Sequence, residues 1–306
     1  MPDMTLPKGL QVFERGWLSS NNVLFLGGES CALVDSGYST HSDQTVELAQ
    51  SALRGRSLNL LLNTHLHSDH CGGNAALQQA YPGLTTLIPP GQADLVAIWD
   101  AEALTYLPTG QLCPRFKYDG CLLPGAEIPL ADVMWQIHAA PGHDPHSLVL
   151  FEPSSRTLIS ADALWEKGFG VVFPELEGER AFGEVGATLD LIEQLDPRWV
   201  IPGHGPVFMY RAEVLARSRE RLDAFVKNPA RHAHHAAKVL LKFKLLEQQQ
   251  LLYADFANWA AGTRYFQLIR ERFFLATPMV DWIAQLTDEL VRSAVALKEG
   301  AMVFNA

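Results

Sequence analysis

Short apolar runs separated by polar joints fill the first two thirds of the chain, and stretches with apolar residues at helical spacing fill the last third. NVLFLGG at 22–28 and SCALVDSG at 30–37 read as two strands of a hairpin around Gly27, Gly28 and Glu29. Residues 41–54 read as a helix, followed by the strand LNLLLN. A second helix over 74–81 is stopped by Pro82-Gly83, and LTTLIPP is a short strand. MWQIHAAPG, SLVLFEP and RTLISAD read as three further strands, 179–195 as a helix closed by Asp196-Pro197, and RWVIPGHGP as a final strand and turn. Residues 90–130 form a long insertion in which DLVAIWDAEALTYL is expected to be helical, and the irregular remainder is expected to serve as a lid or binding loop. After Pro206 two long amphipathic helices are expected over 207–226 and 231–250, split by Asn228-Pro229. A shorter helical region and a last helix follow, the last capped by Thr277 with Pro278 at its first position. The alternation of strand and helix gives an α/β body over 1–210, and the change of texture near 208–212 gives an all-helical appendage over 211–306.

Composition narrows the class. Of 306 residues, 48% are hydrophobic, enough for a sizeable core, and no apolar stretch approaches a membrane span. The first residues are mixed and polar rather than a basic segment before an apolar one, and the four cysteines contain no CxxC pair. Both features point to reduced thiols and a cytoplasmic location. The net charge of −10 is uneven: residues 1–210 carry 10 basic and 24 acidic side chains, whereas 211–306 carry 14 and 10. The acidic body counts against nucleic acid, and the basic tail is either a solvated surface or an attraction for an anion.

The chemistry lies at 64–70, THLHSDH. In an extended segment residues two apart share a side, so His65 and His67 can approach one ion together. Asp69 and His70 follow the strand end, where a turn can direct them to a second position. Imidazole with carboxylate suits zinc, iron or manganese; a polar loop with surface histidines is the plain alternative. His143 in APGH, Asp162 in ISAD and His204 in IPGH each follow an apolar strand and can reach the same sheet edge.

At LVDSG (33–37), THLHSDHCGG (64–73), PGH (141–143), SAD (160–162) and PGHG (202–205) the chain resembles the metallo-β-lactamase superfamily over roughly residues 10–206. The resemblance implies an αββα sandwich. It implies one metal on His65, His67 and His143, another on Asp69, His70 and His204, and Asp162 bridging both. It further implies two zinc ions, with iron or manganese as alternatives, a metal-bridging hydroxide as nucleophile, and Asp69 orienting it. Asp35 is expected behind the metals, beside their histidines.

The superfamily hosts many reactions. Aspartate at 162 and the complete ligand set point to the branches that hydrolyse thioesters, lactones or related esters of small acyl substrates. The helical tail also resembles that of a thioesterase or nuclease-like branch, so a metal-dependent endoribonuclease or other phosphodiesterase is a second expectation. A non-catalytic metal-binding scaffold is a third. Glyoxalase II carries a GHTxGH-like stretch where this chain reads GHDPHS, which departs from glutathione thioester specificity; His146 either reaches the cleft or packs under it. Residues 113–120, with Arg115 and Lys117 as anion grips, and the loop after Asp162, with Phe169 and Phe173 as an apolar pocket, are expected to line the cleft. Tyr106, Tyr118 and Trp165 are candidates for an aromatic donor. His232, His234 and His235 are the tail's best case for a phosphate contact, against an exposed basic face. Leu240, Leu241, Phe243, Leu245, Leu246, Leu251 and Leu252 are expected either to make a homodimer or to pack on the body.

Overall fold

The computed structural model describes residues 6–28 and 30–306; the joint residue Glu29 lies outside the described residues. Strands β1 (Leu10–Phe13), β2 (Asn22–Leu26) and β3 (Cys31–Val34) form an antiparallel meander. Helix α1 (Ser42–Leu53) leads to β4 (Leu60–Leu62). The short α2 (Ser68–Cys71) and α3 (Asn74–Ala80) lead to β5 (Thr85–Ile88). The insertion, with α4 (Ala93–Ile98) and α5 (Tyr106–Thr109), leads to β6 (Gly120–Cys121). These six strands make one sheet in chain order, with β3 to β6 parallel. The second sheet holds β7 (Glu127–Leu130), β8 (Val133–Ala139), β9 (Leu148–Glu152), β10 (Thr157–Ala161), β11 (Trp199–Pro202) and β12 (Phe208–Met209). Between β10 and β11 lie α6 (Phe173–Glu177) and α7 (Phe182–Leu195).

Period-two alternation builds the layers. Val23, Phe25, Ala32, Val34 and Leu62 of the first sheet meet Trp135, Ile137, Leu148, Leu150, Ile159 and Ile201 of the second in one core. The intervening residues face outward. Leu24, Leu33 and Leu61 pack under α1 and α3, through Ala49, Leu53 and Leu77. Val149, Phe151, Leu158 and Val200 pack under α7, through Val185, Leu189 and Ile192. The result is an αββα sandwich. Its near-continuous apolar strands follow from having both faces covered.

The tail comprises α8 (Ala212–Lys227), α9 (Pro229–Gln248), β13 (Gln250–Leu252), α10 (Tyr253–Gly262), α11 (Arg264–Phe273), α12 (Met279–Arg292), β14 (Ala296–Glu299) and β15 (Met302–Asn305). It is therefore not all-helical: β13, β15 and β14 form a small antiparallel sheet. Nor does its first helix begin at 207, because Phe208 pairs with Val200 as β12. Helix α9 starts two residues before the expected 231, with Pro229 in its first turn and the Asn228 side chain accepting from Arg231 N. The last helix starts at Met279 without a Thr277 cap; Thr277 O instead accepts from Arg270 Nε at 2.7 Å. The segment 94–107 breaks after Ile98, where Trp99 takes a left-handed φ of 58°. Leu240, Leu241 and Leu245 are buried within the tail, and Phe243 stands edge-on to Tyr38 of the body at 5.0 Å. No helix among the described residues is long and apolar enough to cross a membrane.

His232 ties the tail to the body: its Nε2 accepts from Val172 N at 3.1 Å, and its ring lies against Phe182 and Phe225. Burial, with His235 and Arg221 nearby, lowers its pKa to about 3. Burial and Arg221 lower that of His235 to about 4. Unfolded histidine titrates near ~6.5, so the unfolded chain takes up protons first as the pH falls. Their contribution to stability is complete above pH ~6.5 and declines toward pH 3–4 by about 1.4 kcal/mol per unit for each histidine. Urea midpoints measured from pH 7.5 to 4.5 are expected to fall, and less steeply in His232→Phe; equal slopes in the two proteins would contradict this.

Candidate metal centre

Strands β8, β10 and β11 run in one direction, and β3 and β4 are likewise parallel, so their C-terminal ends deliver side chains to one edge. His65 and His67 follow β4, and α2 turns Asp69 and His70 back over it. His143 follows β8 and His204 follows β11. The β10–β11 register shifts between Ile159 and Ala161, and Ala161 has a left-handed φ of 46°. The chain thus leaves the sheet just before Asp162. All seven residues meet. One donor group joins His65, His67 and His143, and the other joins Asp69, His70, Asp162 and His204, with donor atoms in each within 4.8 Å of one another.

Asp162 stands between the two groups. Its Oδ2 lies 3.3 Å from His143 Nε2, and its Oδ1 lies 3.4 Å from His70 Nε2 and 3.8 Å from His204 Nε2. His65 Nε2 is 3.1 Å from His67 Nδ1, which is 2.8 Å from His143 Nε2; His204 Nε2 is 3.1 Å from Asp69 Oδ2. A tetrahedral zinc shell at ~2.0–2.1 Å from each nitrogen spaces its donors by roughly 3.3 Å, in line with these separations.

The hydrogen bonds behind the donors decide which atoms point inward. His70 Nδ1 donates to Asp35 Oδ2 at 2.8 Å, so in the neutral ring that binds a metal the lone pair is on Nε2; that atom is buried without a partner. His143 Nδ1 donates to Val171 O. Thr64 Oγ1 donates to Asp35 Oδ2 at 2.8 Å and accepts from His65 Nδ1 at 3.2 Å. His65 and His143 therefore also turn lone pairs inward. Burial, with neighbouring histidines, lowers the pKa of His65 and brings that of His143 to about 4, so both stay neutral. Burial opposes the charge of Asp162, but His204, His70 and His143 outweigh it and hold the carboxyl well below its usual range. Converging lone pairs and a carboxylate repel unless a cation lies among them, so this donor set fits a pair of metal ions. Gly203 is required here, because a Cβ on it would overlap Asp162 Oδ1 and stand 2.9 Å from His70 Cε1.

A cleft of about 550 Å³ opens over the donors, with apolar walls from Trp17, Trp165, Phe173, Val239, Leu240 and Phe243. Of the expected aromatics, Trp165 lines it and donates to Asp162 Oδ1 at 3.2 Å, and Phe173 stands edge-on to His67 at 5.0 Å. Tyr106 is instead buried, donating to Leu66 O, and Tyr118 packs with the insertion core. Phe169 is core, 1% exposed. The 113–120 loop is not the wall: that side is made by Thr105, Thr109 and Gln111. Arg115 reaches Ala97 O, and the Lys117 backbone bonds Gln78. His146 packs on Gly91, where a Cβ would overlap its ring. His234 pairs with Glu289 at 2.8 Å. Sequence reasoning did not single out Trp17, stacked on His204 at 5.5 Å, or Arg221. It noted Asp144 only as a departure from the glyoxalase II stretch; Asp144 is buried with Oδ2 3.7 Å from His67 Nε2. None of these residues belongs to a spaced motif.

Sandwich and edge cluster together define a class, the αββα proteins built around paired metal donors. The chain belongs to the metallo-beta-lactamase superfamily, whose family model matches residues 15–204. It is 32% identical over 161 residues to a hydroxyacylglutathione hydrolase of Anaeromyxobacter dehalogenans, covering 52% of each chain. It is 22% identical to the probable metallo-hydrolase YybB of Bacillus subtilis, over 61% of this chain and 81% of that one. The chain thus spans about half the length of the hydroxyacylglutathione hydrolase it matches. Among solved structures, a metallo-beta-lactamase family protein of Thermus thermophilus, TTHA1429, aligns over 98% of this chain and 99% of its own, with a TM-score of 0.56 and 19% identity. TTHA1623, solved in a di-iron-bound form, aligns over 68% of this chain and 98% of its own, with a TM-score of 0.53 and 26% identity.

Proposed function

We propose that this chain is a dinuclear metal-dependent hydrolase of a thioester, lactone or related ester of a small acyl substrate. The observation that carries the reading is the division of the Asp162 oxygens between two donor groups. His65, His67 and His143 would hold one ion, Asp69, His70 and His204 the other, and Asp162 both. Such ions, when bound, supply a water made nucleophilic at neutral pH and a Lewis acid for the substrate carbonyl. The chain's own residues do the rest. Asp69, at the rim with 15% of its side chain exposed, can accept a proton from the attacking water and orient it. Trp165 steadies Asp162, and the apolar walls hold the acyl group and exclude bulk water. Zinc suits the imidazole-rich set; iron is the alternative that the di-iron form of TTHA1623 supports.

The test is turnover of a panel by metal-loaded protein: acyl thioesters, lactones and a phosphodiester. Hydrolysis confined to one or both acyl classes is expected. Turnover of the phosphodiester alone would favour the phosphodiesterase reading, and no turnover of any would favour a scaffold.

A further inference from the structure

We infer that Arg221 forms a subsite for a carboxylate or phosphate carried by the substrate away from its reacting acyl bond, so that the preferred substrates are anionic. This rests on the hydrolase reading and names its substrate class.

Arg221 projects from α8 into the wall of the cleft that holds His143, Asp162 and His204. No carboxylate lies within ion-pair distance of it among the described residues. Burial and the nearby Arg231 both act against its charge. Its one side-chain hydrogen bond runs from Nη2 to His235 Nε2 at 2.8 Å, a neutral acceptor, and its Nε is buried without a partner. A desolvated guanidinium with an unused donor is costly unless an anion completes it.

The group is also held in place. It lies over the faces of both Phe169 and Phe225, 5.5 and 5.3 Å from their ring centroids. Gly168, at φ +131°, leaves room where a Cβ would stand 3.0 Å from Nη1. A planar fork fixed by two rings and still missing acceptors matches bidentate recognition of carboxylate or phosphate. Arg221 and His235 also line a second, separate trough of about 700 Å³, with Arg217, Arg231 and Lys238 beside Glu220 and Glu289. Glu289 is taken by His234 and Lys238, and Arg217 donates to Glu166 O. Of these tail cations, Arg221 is the one that lines the metal-side cleft.

The experiment measures binding, so it does not depend on turnover. Non-hydrolysable thioether analogues of one acyl thioester are titrated calorimetrically into zinc-loaded wild type, Arg221→Met and Arg221→Lys. One analogue carries a carboxylate, one a phosphate and one a methyl ester in the same place. Wild type is expected to bind at least one anionic analogue about 10- to 100-fold more tightly than the neutral one. Arg221→Met should erase that preference, Arg221→Lys should keep part of it, and the neutral analogue should bind all three proteins within about threefold with unchanged zinc content. Which anion loses more in Arg221→Met identifies the group. No anionic preference in wild type, or the same preference in Arg221→Met, overturns the subsite. Absence of hydrolysis in the substrate panel would overturn the hydrolase reading without altering this result.

Discussion

Asp162→Ala is expected to lower acyl-bond hydrolysis at least ~10³-fold and to reduce bound metal from about two equivalents per chain to about one. Two effects combine. The carboxylate faces His143 with one oxygen and His70 and His204 with the other, so its loss removes a donor from both compartments. In the proposed dinuclear site it would also remove the anion that offsets two adjacent dications. The fold should survive: Asp162 makes its contacts with the site residues and Trp165, while the strands beneath are held by the inter-sheet core. Metal content and kcat read the first part, and circular dichroism the second. A variant with wild-type turnover would refute the bridging role; an unfolded variant would show that Asp162 is structural.

The second large effect is expected at Asp35, which lies behind the seven proposed ligands and outside both donor groups. Its Oδ2 accepts from His70 Nδ1 and Thr64 Oγ1, each at 2.8 Å, and its Oδ1 accepts from Thr64 N at 2.9 Å, all out of solvent. Burial disfavours a charged His70, but the Asp35 and Asp162 carboxylates reverse this and raise its pKa. Asp35 also sits at a left-handed φ of 58°, a conformation aspartate and asparagine tolerate better than alanine. Asp35→Ala leaves buried donors unpaired and His70 unoriented. It should lower metal affinity about 10- to 100-fold and stability by about 3–5 kcal/mol. Asp35→Asn, which keeps the backbone preference and an acceptor, should recover most of the stability but less of the affinity. Competition with a chelator and urea melts separate the two; wild-type metal affinity in Asp35→Ala would contradict the account.

These residues show what a sequence can carry. The strands were legible because burial on both faces demands near-continuous apolar runs, as in β3, β9 and β10. The convergence of the seven side chains was legible because each follows such a run in a short polar motif, and the resemblance supplied their expected grouping as ligands. The cleft walls were not. Trp17, Phe243 and Arg221 reach the site through tertiary packing, from a loop and from two tail helices, with no period or spacing to mark them. Arg115 and Lys117 looked like anion grips because they are basic residues on a long loop, but the loop folds back against Ala97 and Gln78. The tail strands were missed because Gln250–Leu252 and Ala296–Glu299 are short and largely exposed, so they lack alternation. His232 read as part of a basic surface, whereas its helix turns it inward onto Val172.

The central claim is that these seven side chains hold two ions side by side. Elemental analysis of gently purified protein, repeated after chelation and reconstitution with zinc, tests it most directly. About two equivalents per chain, recovered on reconstitution and reduced by Asp162→Ala, is the expected result. Protein that carries no metal as purified and takes up none on reconstitution would contradict it.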